Sequence, residues 1–136
     1  MASSKPEQGA YRWAQRFLIL IVDDDIHMVS MLRSNLESEG YRVESATDGV
    51  TGKLKACELK PDLIVADVLM PGVDGFSMME SINARPEMKD VPIIFLSGKA
   101  TASMVPPADD LSRKYALMKK PIFLPELNQL VKRFLS

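Results

Sequence analysis

One cysteine, Cys57, stands in 136 residues, so no internal disulfide can form and a reducing compartment is expected. Its simplest role is that of a small apolar residue in the interior. An excess of one charge is also missing. The 17 Lys and Arg against 18 Asp and Glu leave a net charge of -1, with no electrostatic footprint for nucleic acid or an anionic membrane. No apolar run approaches the ~20 residues of a membrane span. The run FLILIV at 17–22 is too short for a signal-peptide core and leads straight into three aspartates. The protein is therefore expected in the cytoplasm, with no membrane and no direct nucleic-acid partner. Internal repeats, low-complexity stretches and a DNA-binding helix-turn-helix are likewise not found.

What is present is an ordinary globular composition, 46% apolar and 26% charged. The length suits one domain that buries about two-thirds of the surface of its unfolded chain. Residues 1–16 are polar and small, with Tyr11 and Trp13 as the only anchors. They are expected to form a flexible tail or linker unless Trp13 packs on the domain surface, and the domain itself is expected over 17–136.

The stretch 62–75 organises the rest. Leu63, Ile64, Val65 and Ala66 form a short run rich in β-branched residues, bounded by Pro61-Asp62 and by Met70-Pro71-Gly72. That pattern predicts a fully buried strand ending at Asp67. A carboxylate there is costly unless it faces a cation or a substrate; on this stretch alone a helix-capping or turn role stays open. Before it, 17–22 reads as a strand covered on both faces. Val29, Leu32 and Leu36 recur at helical spacing from Ile26 to a stop at Gly40. Residues 41–46 alternate as a strand nearer the sheet's edge, and 50–59 form a second helix. After Asp67, Asp74-Gly75 starts a helix through Phe76, Met79 and Ile82, and 91–96 is a fourth buried strand. Pro106-Pro107 limits any fourth helix to a short one near Pro107 through Leu111. Residues 115–118 predict a fifth strand. Phe123, Leu127, Leu130 and Phe134, with Pro125 in the first turn, predict a closing amphipathic helix. Alternating strands and helices at this spacing imply an α/β fold, a parallel sheet with helices on both faces.

In such a sheet the strand ends lie together, where ligands bind. Asp23, Asp24 and Asp25 follow strand one, Asp67 strand three, Ser97 strand four, and Lys119, Lys120 and Pro121 strand five. Carboxylates ~4 Å apart repel by about 4 kcal/mol at an effective dielectric of 20. They must protonate, pair with lysine or bind a cation. Oxygen-only ligands with open positions suit Mg²⁺. An aspartate could then take a phosphoryl group as nucleophile, with Mg²⁺, a hydroxyl and a lysine holding the charge. Binding of phosphate or metal without chemistry is the alternative, and a solvated acidic turn at 23–25 remains open on that run alone.

Four pieces make the chain recognisable: LIVDDD at 20–25, the D-x-x-M-P-x-x-D-G pattern from Asp67 to Gly75, FLSGKA at 95–100 and KKPI at 119–122. Together, in this order, they resemble the receiver domain of two-component response regulators, of the chemotaxis-regulator type, over about 17–135. The resemblance implies a flavodoxin-like, doubly wound five-stranded sheet of order 2-1-3-4-5, here with a short or irregular fourth helix. It implies that Asp67 is the phosphoacceptor, that Ser97 and Lys120 contact the phosphoryl group, and that Lys120-Pro121 is a cis bond. It implies Mg²⁺ as cofactor, held by Asp23, Asp24, Asp67 and the backbone carbonyl of Leu69, with Asp25 outside the site. The donor would be a sensor histidine kinase or a phosphotransfer protein. The output protein or domain is unassigned, and homodimers occur in such families. The domain would be a signalling switch, an enzyme only toward its own phosphorylation and dephosphorylation.

Two departures from the family pattern stand out. The aromatic usually three residues before the lysine is Leu117, with Tyr115 on the same strand face. The proline-rich 102–110 replaces the usual fourth helix, so signalling through a remodelled 99–114 loop is expected. Leu69 and Lys99 flank the family's path for hydrolytic water, and Leu69 predicts slow self-dephosphorylation. Exposed His27, at the start of the first helix, is expected to play no part in phosphotransfer. Rival readings are a phosphorylation-independent receiver-like scaffold and a small haloacid-dehalogenase-type phosphohydrolase built on Asp23-x-Asp25 and Ser97.

Overall fold

The computed structural model describes residues 12–98 and 115–136. Five parallel strands run in the order β2-β1-β3-β4-β5: β1 (Leu18–Val22), β2 (Arg42–Ala46), β3 (Leu63–Asp67), β4 (Ile93–Ser97) and β5 (Tyr115–Lys119). The expected strand order holds. Helices α1 (Ile26–Ser38), α2 (Gly49–Leu59), α3 (Gly75–Asn83) and α4 (Leu124–Leu135) alternate with them, and a 3-10 turn covers Pro86–Met88.

Strict alternation divides the apolar strands between two cores. Ile19, Ile21, Leu63, Val65, Ile94 and Leu96 face α1 and α4, and meet Leu32, Leu36, Leu127 and Val131. Leu20, Val22, Ile64, Ala66, Ile93 and Phe95 face α2 and α3, and meet Ala56, Met78, Met79 and Ile82. Burial of each such aliphatic side chain contributes about 1.5–3 kcal/mol, which is why the three central strands read as unbroken apolar runs. Asn35 on α1 and Asn128 on α4 exchange side-chain amide hydrogen bonds of 2.7 and 3.3 Å, tying the two helices on that face.

Three aspartates start three helices. Asp25 accepts from the His27 N–H at 2.9 Å, Asp48 from Thr51 at 2.7 Å and Asp74 from Ser77 at 2.8 Å. Each satisfies an N–H group that the helix cannot, a contribution of about 1 kcal/mol. At the other ends, Gly40 turns the chain after α1 with φ 100, a conformation that favours glycine. β2 is an edge strand, and its outward groups are covered by side chains. Arg33 donates to the Val43 carbonyl and the Ser45 hydroxyl, both at 3.0 Å, and Lys55 donates to the Ser45 carbonyl at 2.6 Å. Such capping blocks pairing with a stray strand.

Two side chains sit elsewhere than the sequence suggests, and of the two places left open for Trp13 the structure takes the packed one. Phe123 precedes α4 as its N-cap and is 65% exposed, because Pro125 in the first turn places the helix start after it. Cys57 is half-buried rather than interior. Within the segment expected as a tail, residues 12–14 form a helical turn and Ala14 is buried. Trp13 packs edge-to-face on Phe17 and Tyr41, while Arg42 donates to the Gln15 carbonyl at 3.0 Å. The expected short helix near Pro107 and the 99–114 loop lie outside the described residues. No helix among the described residues is long and apolar enough to cross a membrane.

Candidate functional site

Strand geometry brings the charged residues together at the carboxyl end of the sheet. Asp23 follows β1 directly, and its N–H donates to the Ala46 carbonyl at 3.1 Å, so it is still held like a strand residue. Its side chain is fully buried. One oxygen, Oδ1, accepts from the Asp25 N–H at 2.9 Å; the other, Oδ2, is buried without a hydrogen-bond partner among the described residues. Asp67, the last residue of β3, is 7% exposed. Lys120 follows β5 and reaches across both, its Nζ 3.3 Å from Asp67 Oδ2 and 4.0 Å from Asp23 Oδ2. The Lys120 N–H donates to the Ser97 carbonyl at 2.8 Å, and the Lys120-Pro121 peptide is cis. Ser97 ends β4 fully buried, with its hydroxyl donating to the Gly98 carbonyl at 2.9 Å.

Burial decides the electrostatics of Asp23. Loss of water pushes its carboxyl up to about 6, helped by the neighbouring Asp67 and Asp24 charges and opposed by the Asp25 N–H and Lys120. A buried carboxylate with one orphaned oxygen needs a cation more than Lys120 supplies at 4.0 Å. Asp23, Asp24 and Asp67 each offer an oxygen, all within 4.8 Å of one another. Oxygens around a Mg²⁺ ion at ~2.05 Å lie about 3–4 Å apart, so this all-oxygen set fits the ion after a small inward closure. Two buried donors and one exposed donor also leave room for water, which Mg²⁺ retains.

The sequence-derived residues thus divide. Asp23, Asp24, Asp67 and Lys120 converge, and Ser97 lies on the adjacent strand end, one register step beyond the Asp67–Leu96 pair. Asp25 is drawn away to cap α1, and His27 is exposed in the first turn of that helix. Leu69 follows Asp67 by two residues, with its side chain 59% exposed. Lys119 is exposed; Lys99 lies outside the described residues.

Gly75 is a contributor that chemistry-bearing residue types do not reveal. Its N–H donates to the Val68 carbonyl at 2.8 Å, and a Cβ at this position would overlap the Asp67 carbonyl oxygen and sit 3.2 Å from Val68 Cα. The absent side chain lets α3 close directly on the backbone that carries Asp67. Its only signal in the sequence is the Asp-Gly pair at the helix start.

Comparisons with known proteins identify the family and the fold. The family model described as the response regulator receiver domain matches residues 19–132. The phosphate regulon transcriptional regulatory protein PhoB of Rhizobium meliloti is 33% identical over 122 residues, covering 86% of this chain and 51% of that protein. The chemotaxis response regulator CheY4 of Vibrio cholerae has a similar structure, with TM-score 0.77 and 27% identity, covering 87% of this chain and 98% of that one. So does the receiver domain of the sensor histidine kinase PA1611 from Pseudomonas aeruginosa, solved with a magnesium ion in its active-site cleft: TM-score 0.77, 28% identity, 88% and 97% coverage. The chain spans between 17% and 51% of the length of the curated relatives it matches.

Proposed function

We propose, from the premise that this chain belongs to the response regulator receiver domain family, that Asp67 accepts a phosphoryl group from a phosphohistidine on a histidine kinase or phosphotransfer partner. The observation that carries the reading is the Lys120 ammonium 3.3 Å from the buried Asp67 carboxylate and 4.0 Å from that of Asp23, with the Asp24 carboxylate beside them. An Asp67 oxygen attacks phosphorus, the O–P bond forms as the P–N bond breaks, and the electron pair leaves with the imidazole. Lys120 holds one phosphoryl oxygen by charge, and the Ser97 hydroxyl donates to another after leaving the Gly98 carbonyl. Asp23, Asp24 and Asp67, with the Leu69 carbonyl, would hold Mg²⁺, which supplies neutralisation of charge on the transferring group. Water later attacks phosphorus, the Asp67 O–P bond breaks with its electron pair returning to the carboxylate, and inorganic phosphate leaves. Burial of Asp67 limits that water, and the apolar Leu69 side chain offers it no hydrogen bond.

Asp25 supports this reading over a phosphohydrolase of the haloacid-dehalogenase type. Its carboxylate is occupied as the α1 cap, so an Asp23-x-Asp25 pair does not face one substrate. The deciding experiment incubates the protein with Mg²⁺ and acetyl phosphate and weighs it intact. A single phosphoryl addition is expected, base-labile and missing in Asp67→Asn and in EDTA. No addition, with Mg²⁺ binding intact, would favour a phosphorylation-independent scaffold.

A further inference from the structure

Charge is spread unevenly over this domain. Asp23, Asp24 and Asp67 gather at the carboxyl end of the sheet, whereas exposed cations gather at the opposite end. Arg12 and Arg16 flank Trp13, Arg42 begins β2 and donates to the Gln15 carbonyl, and Lys132 and Arg133 occupy the last turn of α4. The ion pairs among the described residues engage Arg33, Arg85 and Lys120, and none engages these five. Glu37 and Glu44, the nearby carboxylates, line a separate groove along β2. The last-turn position of Lys132 and Arg133 suits the helix dipole, but that does not account for three further arginines on other segments. Amid the cations lies a cavity of about 310 Å³ lined by Trp13, Lys132, Arg133 and Ser136. Its walls are chiefly apolar, as the indole and the aliphatic stems of two cations provide, with the charged heads in water. The volume is at the low end of the about 300–1,000 Å³ of small-molecule pockets, which is room for one side chain.

We propose that this end of the domain docks an acidic protein segment, with one aliphatic or aromatic side chain of the segment in the cavity against Trp13 and its carboxylates on Lys132, Arg133 and Arg16. Charge complementarity selects the partner: five uncompensated cations favour carboxylates and disfavour a basic chain. The cavity selects the anchor. Trp13 is half-buried and fixed by edge contacts with Phe17 and Tyr41, so it forms a wall that is already in place before binding. The same fixing argues against a membrane, because an interfacial tryptophan must protrude to enter the headgroup layer. A nucleic-acid backbone would meet the cations and leave the apolar cavity unfilled. The site lies at the end of the sheet away from Asp67, so a bound segment leaves that carboxylate accessible.

The test titrates the full chain with a terminally blocked peptide, one leucine flanked on each side by two glutamates, and reads the emission of Trp13, the single tryptophan. A saturable shift to shorter wavelength is expected as the leucine displaces water from the indole. A peptide with serine in place of the leucine keeps every charge and is expected to leave the emission unmoved. The double variant Lys132→Glu, Arg133→Glu changes exposed side chains only and is expected to bind the leucine peptide at least about tenfold more weakly, since two attractions become repulsions. An unmoved Trp13 emission with the leucine peptide would overturn the proposal. An equal response to the serine peptide, or undiminished binding by a folded double variant, would do the same. Phosphatidylserine vesicles and a DNA duplex are titrated in parallel. A Trp13 shift with either of them, in a protein that ignores the leucine peptide, would also overturn the proposal and assign the cations to a membrane or to nucleic acid.

Discussion

Removing the charge from Asp23 is expected to make the metal-free protein more stable while destroying its site. Its carboxyl ionises near 3.8 in the unfolded chain and near 6 in the folded one, chiefly because burial penalises the anion. The folded state therefore holds this proton more tightly. As pH rises through the interval from about 4 to about 6, the folded state gives up a proton it had bound better than the unfolded state, and stability falls. Above that interval the cost is complete, about 3 kcal/mol at roughly 1.4 kcal/mol per pKa unit. Asn keeps an oxygen for the Asp25 N–H and carries no charge. Urea unfolding in EDTA at about pH 7 should thus find Asp23→Asn about 3 kcal/mol more stable than the parent, the gap closing toward about pH 4. Comparing the two proteins at each pH cancels the titration of the carboxylates that do not interact with Asp23, which leaves Asp67 and Asp24 as its coupled neighbours. Mg²⁺ should then close most of the gap, since a ligand bound only by the folded parent adds about 2.7 kcal/mol at a hundred times its Kd. Equal stability of the two proteins at about pH 7 without metal would refute the argument that Asp23 is held there at a cost.

Gly75→Ala should lower stability by about 1–3 kcal/mol through overlap with the Asp67 carbonyl and weaken Mg²⁺ affinity as well, measured by calorimetry; unchanged affinity would mean that α3 does not hold Asp67 in place. Leu69→Asn should shorten the lifetime of the phosphorylated protein by offering the attacking water a hydrogen bond, and an unchanged decay rate counts against this. Leu36→Ala should cost about 2–5 kcal/mol, as for other fully enclosed leucines, and a loss below about 1 kcal/mol would show that α1 repacks over the gap. Asp25→Ala should cost about 1 kcal/mol by loss of the α1 cap with phosphorylation by acetyl phosphate preserved; loss of phosphorylation in a folded variant would place Asp25 in the site after all.

The sheet was legible in the sequence because its strands are short, apolar and closed by residues that cannot continue them. β3 ends at Asp67 and β4 at Ser97, and the strand ends of a parallel sheet share one side, so the convergence of these residues followed from the same marks as the fold. The helix start at Pro125 was visible as well, yet Phe123 was counted with the helix because periodicity alone does not distinguish a buried ring from one just ahead of the first turn. Other features depend on distant partners. Trp13 carries no helical or strand period; its place comes from Phe17 and Tyr41, and from Arg42 holding the Gln15 carbonyl. Alternation marks β2 as a strand near the edge, but Arg33 and Lys55 read as ordinary helix-surface cations, and only the fold shows that they cover its carbonyls. Gly75 tells the same lesson in reverse, since its contribution is the space it leaves.

The docked turn at 12–16 would constrain any module joined ahead of it. It is fastened where β1 and β2 begin, through Arg42 and the Trp13 ring, whereas Asp67 lies where the strands finish. Those two ends are separated by a five-residue strand, about 16 Å at 3.3 Å per residue. A module attached ahead of Arg12 would start its tether from the far end of the molecule, at a point that cannot swivel freely. To lie over Asp67 it would first have to run back along the full height of the sheet, which takes at least about five extended residues. Shortening such a tether would keep the module clear of the end of the sheet that carries Asp67, and lengthening it would let the same module cover that end.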